Sequence, residues 1–240
     1  MKLKVLGSSS KGNCYLFQAD KECLIVEAGI AYKEVVKALG FSVDNVVGVL
    51  CTHRHGDHAK YLHKFAETGI TCYANADVIE TMPDSAKPLC KPIKGMQTFK
   101  VGGYKVFVLP MNHDVPCHGF TIEHAEMGRV FFATDTFAIK YRVEDINYYM
   151  IEANYNDEVL DENIASGKTP GVMRDRLLQS HMEASMTATF LTKCDLKRTK
   201  QVMLLHLSEN NSDEKMCVRK VERATGKPTY VLHAGDEINL

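Results

Sequence analysis

Residues 46–58 read Val-Val-Gly-Val-Leu-Cys-Thr-His-Arg-His-Gly-Asp-His, an apolar strand that runs straight into a cluster of metal-ligand types, and few folds accommodate such a join. Within six residues, His53, His55, Asp57 and His58 offer three imidazoles and a carboxylate. Beside a buried strand these groups are costly to leave unpaired, because each polar group taken from water needs a compensating partner. Side chains two apart at a strand end project to the same side, so His53 and His55 converge on one point. Asp57 and His58, opening the helix that follows, can turn toward a second point nearby. Two such points fit a pair of cations roughly 3.5–4 Å apart flanking one reacting group. A satisfied core or surface histidine is the better reading for a lone His, not for four ligand types in one hexapeptide.

Around this segment the chain alternates between the two periodicities. Runs at residues 3–6, 14–19, 23–26, 46–52, 71–74, 105–109, 119–123 and 130–133 have the β-branched and apolar content of strands, as do 148–153 and 201–207. Ala59, Leu62, Phe65 and Ala66 share one helical face that Gly69 would close. Residues 182–192 and 212–224 have helical spacing, and Ser180 with Glu183 and Asn211 with Glu214 have the spacing of capping boxes that would start those helices. The polar stretch 157–176, with Gly167, Pro170 and Gly171, reads as an irregular surface excursion. No repeat or linker interrupts the pattern, so a single domain over residues 1–240 is expected.

Composition narrows the classes. The eight cysteines include no Cys-x-x-Cys pair, which speaks for reduced thiols rather than a disulfide framework or a cysteine zinc knuckle. No apolar run approaches the roughly 18 residues of a spanning helix, and the first residues lack a secretory signal, so a cytoplasmic protein with no membrane partner is expected. A formal net charge of −1 gives no global attraction to nucleic acid. Lys193, Lys197, Arg198 and Lys200 form a basic run that reads as a solvated face.

The pattern His53-x-His55-x-Asp57-His58 after an apolar strand resembles the signature of the metallo-β-lactamase superfamily. The resemblance implies an α/β fold, a four-layer αββα sandwich of two mixed β-sheets flanked by helices. It also implies further ligands at later strand ends, where this sequence has His113, Asp135 and His206. Carried over, it assigns His53, His55 and His113 to one ion, Asp57, His58 and His206 to the other, and Asp135 as the bridge. Nitrogen and oxygen donors suit two Zn²⁺ ions, with Mn²⁺ as a competitor. The family's early strand usually ends in Asp-Ala-Gly; here Glu27-Ala28-Gly29 stands instead, so Glu27 is expected to orient the histidine loop from a shifted backbone or through a water.

Water shared by two such ions is acidified from 15.7 to around 7, which makes hydrolysis the default chemistry. Leu205-His206-Leu207-Ser208 and Ser180-His181-Met182-Glu183 are similar to motifs of RNase Z and YycJ-like phosphodiesterases, as are Gly7-Ser8-Ser9-Ser10-Lys11-Gly12-Asn13 and Glu152-Ala153-Asn154-Tyr155. The likeness implies a nuclease, an exonuclease of DNA or RNA, in which Asp57 orients the nucleophile and His181 is the general acid. If Ser180 caps a helix, His181 stands in its first turn, where free N–H groups favour a phosphate oxygen. Ser8, Asn13 and Asn154 are the candidate substrate donors.

Three rivals stay open. A cyclic-nucleotide or other small-nucleotide phosphodiesterase would use the same centre without a basic groove; a thioester, lactone or β-lactam hydrolase would not depend on His181; a metal-stabilised interaction module would turn over nothing. The expected partner is a nucleic acid or nucleotide, and a homodimer is compatible with the chain. His63, His118, His124 and His233 match no site position and read as structural, with His118 nearest the cleft.

Overall fold

A computed structural model describes all residues, 1–240. The strands β1 (Lys2–Ser9), β2 (Gly12–Gln18), β3 (Cys23–Val26), β4 (Val46–Leu50), β5 (Cys72–Ala74) and β6 (Cys90–Pro92), with β14 (Glu237–Asn239), form one seven-stranded sheet in the order β14-β1-β2-β3-β4-β5-β6. A second sheet runs β13-β12-β11-β10-β9-β8-β7 and is built from β7 (Thr98–Val101), β8 (Tyr104–Met111), β9 (Cys117–His124), β10 (Gly128–Ala133), β11 (Tyr148–Glu152), β12 (Gln201–Leu205) and β13 (Thr229–Val231). Each sheet is antiparallel on one side and parallel on the other, the parallel parts being β3 to β6 and β10 to β13.

Strand faces divide the core into layers by period-two alternation. Tyr15, Phe17, Leu24 and Val26 of the first sheet meet Val106, Phe132, Met150 and Met203 of the second in the central cluster. The alternate residues Leu16, Cys23 and Ile25 face outward and pack with Val35, Leu62 and Phe65. On the other side, Phe131, Tyr149, Ile151 and Leu204 pack with Ala188, Leu191, Cys217 and Val221. Helices α1 (Tyr32–Ala38), α2 (Gly56–Ala59), α3 (Leu62–Glu67) and α4 (Ala76–Glu80) cover the first sheet. Helices α7 (Ala184–Thr192) and α8 (Glu214–Thr225) cover the second. Strands apolar on both faces read in the sequence as continuous hydrophobic runs, and their two covered faces make the expected αββα sandwich. No helix is long and apolar enough to cross a membrane.

Three local expectations give way. The stretch from 157 to 176 contains two helices, α5 (Asp157–Ala165) and α6 (Val172–Ser180), turned on each other at Gly167 to Gly171. Leu160 and Leu177 pack with Tyr155 between them, and Arg174 pairs with Asp157 and Asp161. The helix expected around residues 59–66 is two short helices, because the Tyr61 amide donates to Ala28 O at 2.9 Å instead of continuing the helical ladder. Neither capping box forms. Ser180 ends α6, Glu183 caps α7 by accepting the Ser185 amide, and Asp213 caps α8 by accepting the Met216 amide at 2.8 Å.

Candidate metal centre

Parallel strands place their C-terminal ends along one edge, and the site is built there from both sheets. In the first sheet β3 leads into Glu27 and β4 into the loop that carries His53 to His58. In the second, β8 leads into His113, β10 into Asp135, β11 ends on Glu152 and β12 leads into His206. Glu27, Asp135 and His206 are three of the six non-glycine residues with positive φ, at 70°, 47° and 53°. Left-handed backbone costs about 1–3 kcal/mol per residue and persists where the surroundings enforce it. Here it turns a side chain inward as each strand leaves its sheet.

The ligand-type atoms converge in three overlapping groups, one of His53, His55, His113 and Asp135, a second of Asp57, His58, Asp135 and His206, and a third of Asp135, Glu152, His181 and His206, with the atoms of each group within 4.8 Å of one another. His113 Nδ1 donates to Ser180 O at 2.9 Å, which leaves Nε2 facing His55 Nδ1 at 3.2 Å. His53 lies against Thr52 Oγ1 through Nδ1, at 2.9 Å, while its Nε2 is buried with no partner and 3.8 Å from Asp135 Oδ2. His58 Nε2 stands 3.2 Å from Asp57 Oδ2 and 3.3 Å from Asp135 Oδ1. His206 Nε2 is 3.2 Å from the same Asp57 oxygen. Buried imidazole nitrogens facing buried carboxylates, with His53 Nε2 and His58 Nδ1 both lacking a hydrogen bond, fit a divalent cation better than a self-contained hydrogen-bond network.

Glu27 is fully buried, and its Oε1 lies 3.4 Å from His58 Nδ1, neither atom having a hydrogen bond elsewhere. The longer side chain thus reaches the histidine from a left-handed backbone with no water between them. The Ala28 amide donates to His58 O at 2.7 Å, and Gly29 lies so close to Asp57 that an added Cβ would stand 1.7 Å from the Asp57 carbonyl oxygen.

Asn13 and Ser8, expected as substrate donors, contact the clustered histidines. Asn13 is fully buried, with its side-chain amide 3.1 Å from His58 Nε2 and donating to Ser9 O at 3.0 Å. Ser8 Oγ accepts the His206 amide at 3.2 Å and the Tyr15 hydroxyl at 2.9 Å. Asn154 Nδ2 donates to His206 O at 2.8 Å. His118 is buried outside the ligand groups, His124 pairs with Glu22 at 3.1 Å, and Arg198 of the basic run pairs with Asp145.

His181 is at the site for a different reason from the one its sequence context suggests. It sits past the end of α6 with extended backbone, φ −135° and ψ 156°, so no helix dipole acts through a first turn. Its partner is Glu152, whose Oε1 accepts from His181 Nδ1 at 2.6 Å. Glu152 Oε2 accepts the amides of Thr136 at 3.0 Å and Met182 at 3.2 Å, so both oxygens of this fully buried carboxylate are committed. Burial opposes charge on His181, but the adjacent Glu152 carboxylate outweighs it and raises the pKa above the ordinary imidazole value. Burial likewise opposes charge on Glu152, yet His181 holds it below the usual carboxylate range. The His181 ring is 5.7 Å from that of His113 and 5.5 Å from that of His206, so it flanks the first two groups while belonging to the third. Sequence reasoning named Glu152 only within a phosphodiesterase-like motif and gave it no role, although an acid closing the buried run Tyr-Tyr-Met-Ile was a legible signal.

Residues 31–207 match the family described as Beta-lactamase superfamily domain. The chain belongs to this superfamily. Among curated superfamily relatives, the exodeoxyribonuclease WalJ of Streptococcus pneumoniae is 28% identical over 233 residues, covering 88% of this chain and 83% of that protein. The exodeoxyribonuclease YycJ of Bacillus anthracis is 25% identical over 256 residues, covering 98% and 93%. Zn²⁺-bound PqqB of Methylobacterium extorquens shares the fold, with a TM-score of 0.77 at 14% identity and full coverage of both chains. As a β-lactamase superfamily member with these clustered donors, the chain is a metal-dependent hydrolase.

Proposed function

We propose that this protein is a phosphodiesterase that cleaves nucleic acid as an exonuclease, with two divalent ions held at one sheet edge. His53, His55 and His113 would hold one ion, Asp57, His58 and His206 the other, and Asp135 would bridge them. The donor set suits Zn²⁺, with Mn²⁺ as the competitor. The observation that carries the reading is the Glu152–His181 pair beside the ligand groups. An ester whose leaving group is an alkoxide needs a proton, and this pair keeps one in place. The two curated relatives named exodeoxyribonucleases give the substrate class.

Divalent ions bound here supply acidified water and withdraw charge from phosphoryl oxygens. The chain's own groups do the rest. Asp57 Oδ2, between His58 and His206, accepts a hydrogen bond from the attacking water and sets its direction. His181 keeps its Nδ1–H on Glu152, and its Nε2–H is the proton delivered to the departing oxygen. Glu27 fixes the His58 ring, and Ser8 and Asn154 fix the backbone of His206.

The test is turnover of single-stranded DNA, RNA, cyclic mononucleotides and bis-nitrophenyl phosphate, each with metal and with chelator. Metal-dependent release of mononucleotides from DNA or RNA is expected. Activity confined to cyclic mononucleotides would replace the polymer reading with the small-nucleotide one, and no metal-dependent turnover of any of the four substrates would refute both.

A further inference from the structure

Beside His181 and His206 lies a recess of about 250 Å³ between α6 and the loop after β12. Its volume is below the roughly 300–1,000 Å³ of drug-sized ligand sites, so it suits one nucleotide and not two. Met173 and Leu177 of α6 give it an apolar wall, against which a base can lie. Asn154 and Arg176 each bring to it a polar group without a partner. Asn154 is only 4% exposed, and its amide is oriented by the bond from Nδ2 to His206 O, which leaves Oδ1 buried and unsatisfied. An unsatisfied buried acceptor is costly and calls for a donor from a ligand. Arg176, at the exposed rim, has no carboxylate or other acceptor on its guanidinium, whereas nearby Arg174 is held by Asp157 and Asp161.

The recess adjoins the group that protonates the departing oxygen, which makes its occupant the departing fragment. We propose that it is the leaving-side subsite and takes one terminal nucleotide of a nucleic acid strand, with the end phosphate paired to Arg176; this rests on the phosphodiesterase reading. Asn154 Oδ1 accepts a hydroxyl or amino donor of that nucleotide, and α6 blocks a longer fragment. In the cleavage, water forms the new bond to phosphorus and the bond to the outgoing nucleotide breaks. The outgoing oxygen takes the His181 proton, and the proton lost by water passes to solvent. Confinement of the leaving fragment to one residue is then what makes the enzyme release mononucleotides.

The experiment uses one oligodeoxynucleotide sequence with a phosphate at the 5′ end, at the 3′ end or at neither, cut by the metal-loaded full chain. One end-phosphorylated form should be cut with a kcat/KM about tenfold above the hydroxyl-ended form, the scale of one charge-assisted contact at an open rim. Mononucleotides should be the first product. In Arg176→Ala that ratio should fall toward one, with Arg176→Lys in between. Equal ratios in wild type and Arg176→Ala, or a first product longer than one nucleotide, overturn the subsite. Failure of the wild type to cut any of the three forms, with the same three made as oligoribonucleotides, overturns the exonuclease reading itself, so the two failures are distinguishable.

Discussion

Replacing Glu152 by Gln removes one charge and almost no volume. The remaining side-chain oxygen can still accept from the Thr136 and Met182 amides, so the fold around it should hold. Toward His181, however, the amide presents an N–H where the carboxylate presented an acceptor at 2.6 Å. Nδ1 must then accept, the proton moves to Nε2, and the neutral ring becomes the favoured form. A hydrogen bond to a buried charge is worth about 1.5–3 kcal/mol, or about 10–150-fold in rate if it is fully used in the transition state. The limit is set by losing the general acid altogether, about 10²–10⁴-fold, expected for His181→Ala. The sign of the pH effect follows from the raised pKa of His181. The acid must be protonated, so the alkaline limb of kcat should move to lower pH in Glu152→Gln. The assay compares a nucleotide ester, whose alkoxide needs the proton, with bis-nitrophenyl phosphate, whose phenolate leaves without one. Both variants should lose rate on the first and little on the second, and the double variant should be no worse than His181→Ala alone. Equal losses on both esters, or additive losses in the double variant, would refute the role of the pair.

Three other perturbations probe the scaffold. Gly29→Ala drives a methyl into the Asp57 carbonyl; the denaturant midpoint should fall by the equivalent of about 1–3 kcal/mol, and metal content should fall with it. Retention of full metal content would show that the Glu27 to Gly29 turn does not hold the ligand loop. Glu27→Gln removes the charged partner of His58 Nδ1, and chelator competition should register a roughly 10–100-fold weaker metal affinity. An unchanged affinity would leave Glu27 a merely structural acid. Adding Zn²⁺ at about 100 times its dissociation constant should stabilise the folded chain by about 2.7 kcal/mol per bound ion in a thermal melt, and the gain should vanish in Asp135→Ala if that residue serves both ions.

The sandwich was legible because its strands bury both faces. Tyr149, Met150 and Ile151 point alternately to two cores, and such a run is hydrophobic without interruption. The hexapeptide was legible because its ligand types are adjacent in sequence. His113, Asp135 and His206 became readable only through the superfamily likeness, since the parallel strand ends that bring them together are a property of the sheet. The four edge strands, β6, β7, β13 and β14, went unread, being three or four residues each and partly exposed. Local signals misled around His181, where tertiary bonds prevailed over local spacing: Ser180 donates to Arg176 O inside α6, and its carbonyl accepts from His113. Glu152, named only within a family-like motif, was given no role because its importance lies in what it touches, and nothing in one chain's spacing links residue 152 to 181.

Elemental analysis of the purified chain, set beside hydrolysis before and after exhaustive chelation, addresses the centre itself. Two divalent ions per chain are predicted, together with activity that disappears on chelation and returns with Zn²⁺ or Mn²⁺, and occupancy that collapses in Asp135→Ala. A metal-free preparation that hydrolyses its substrate at the original rate would contradict the account.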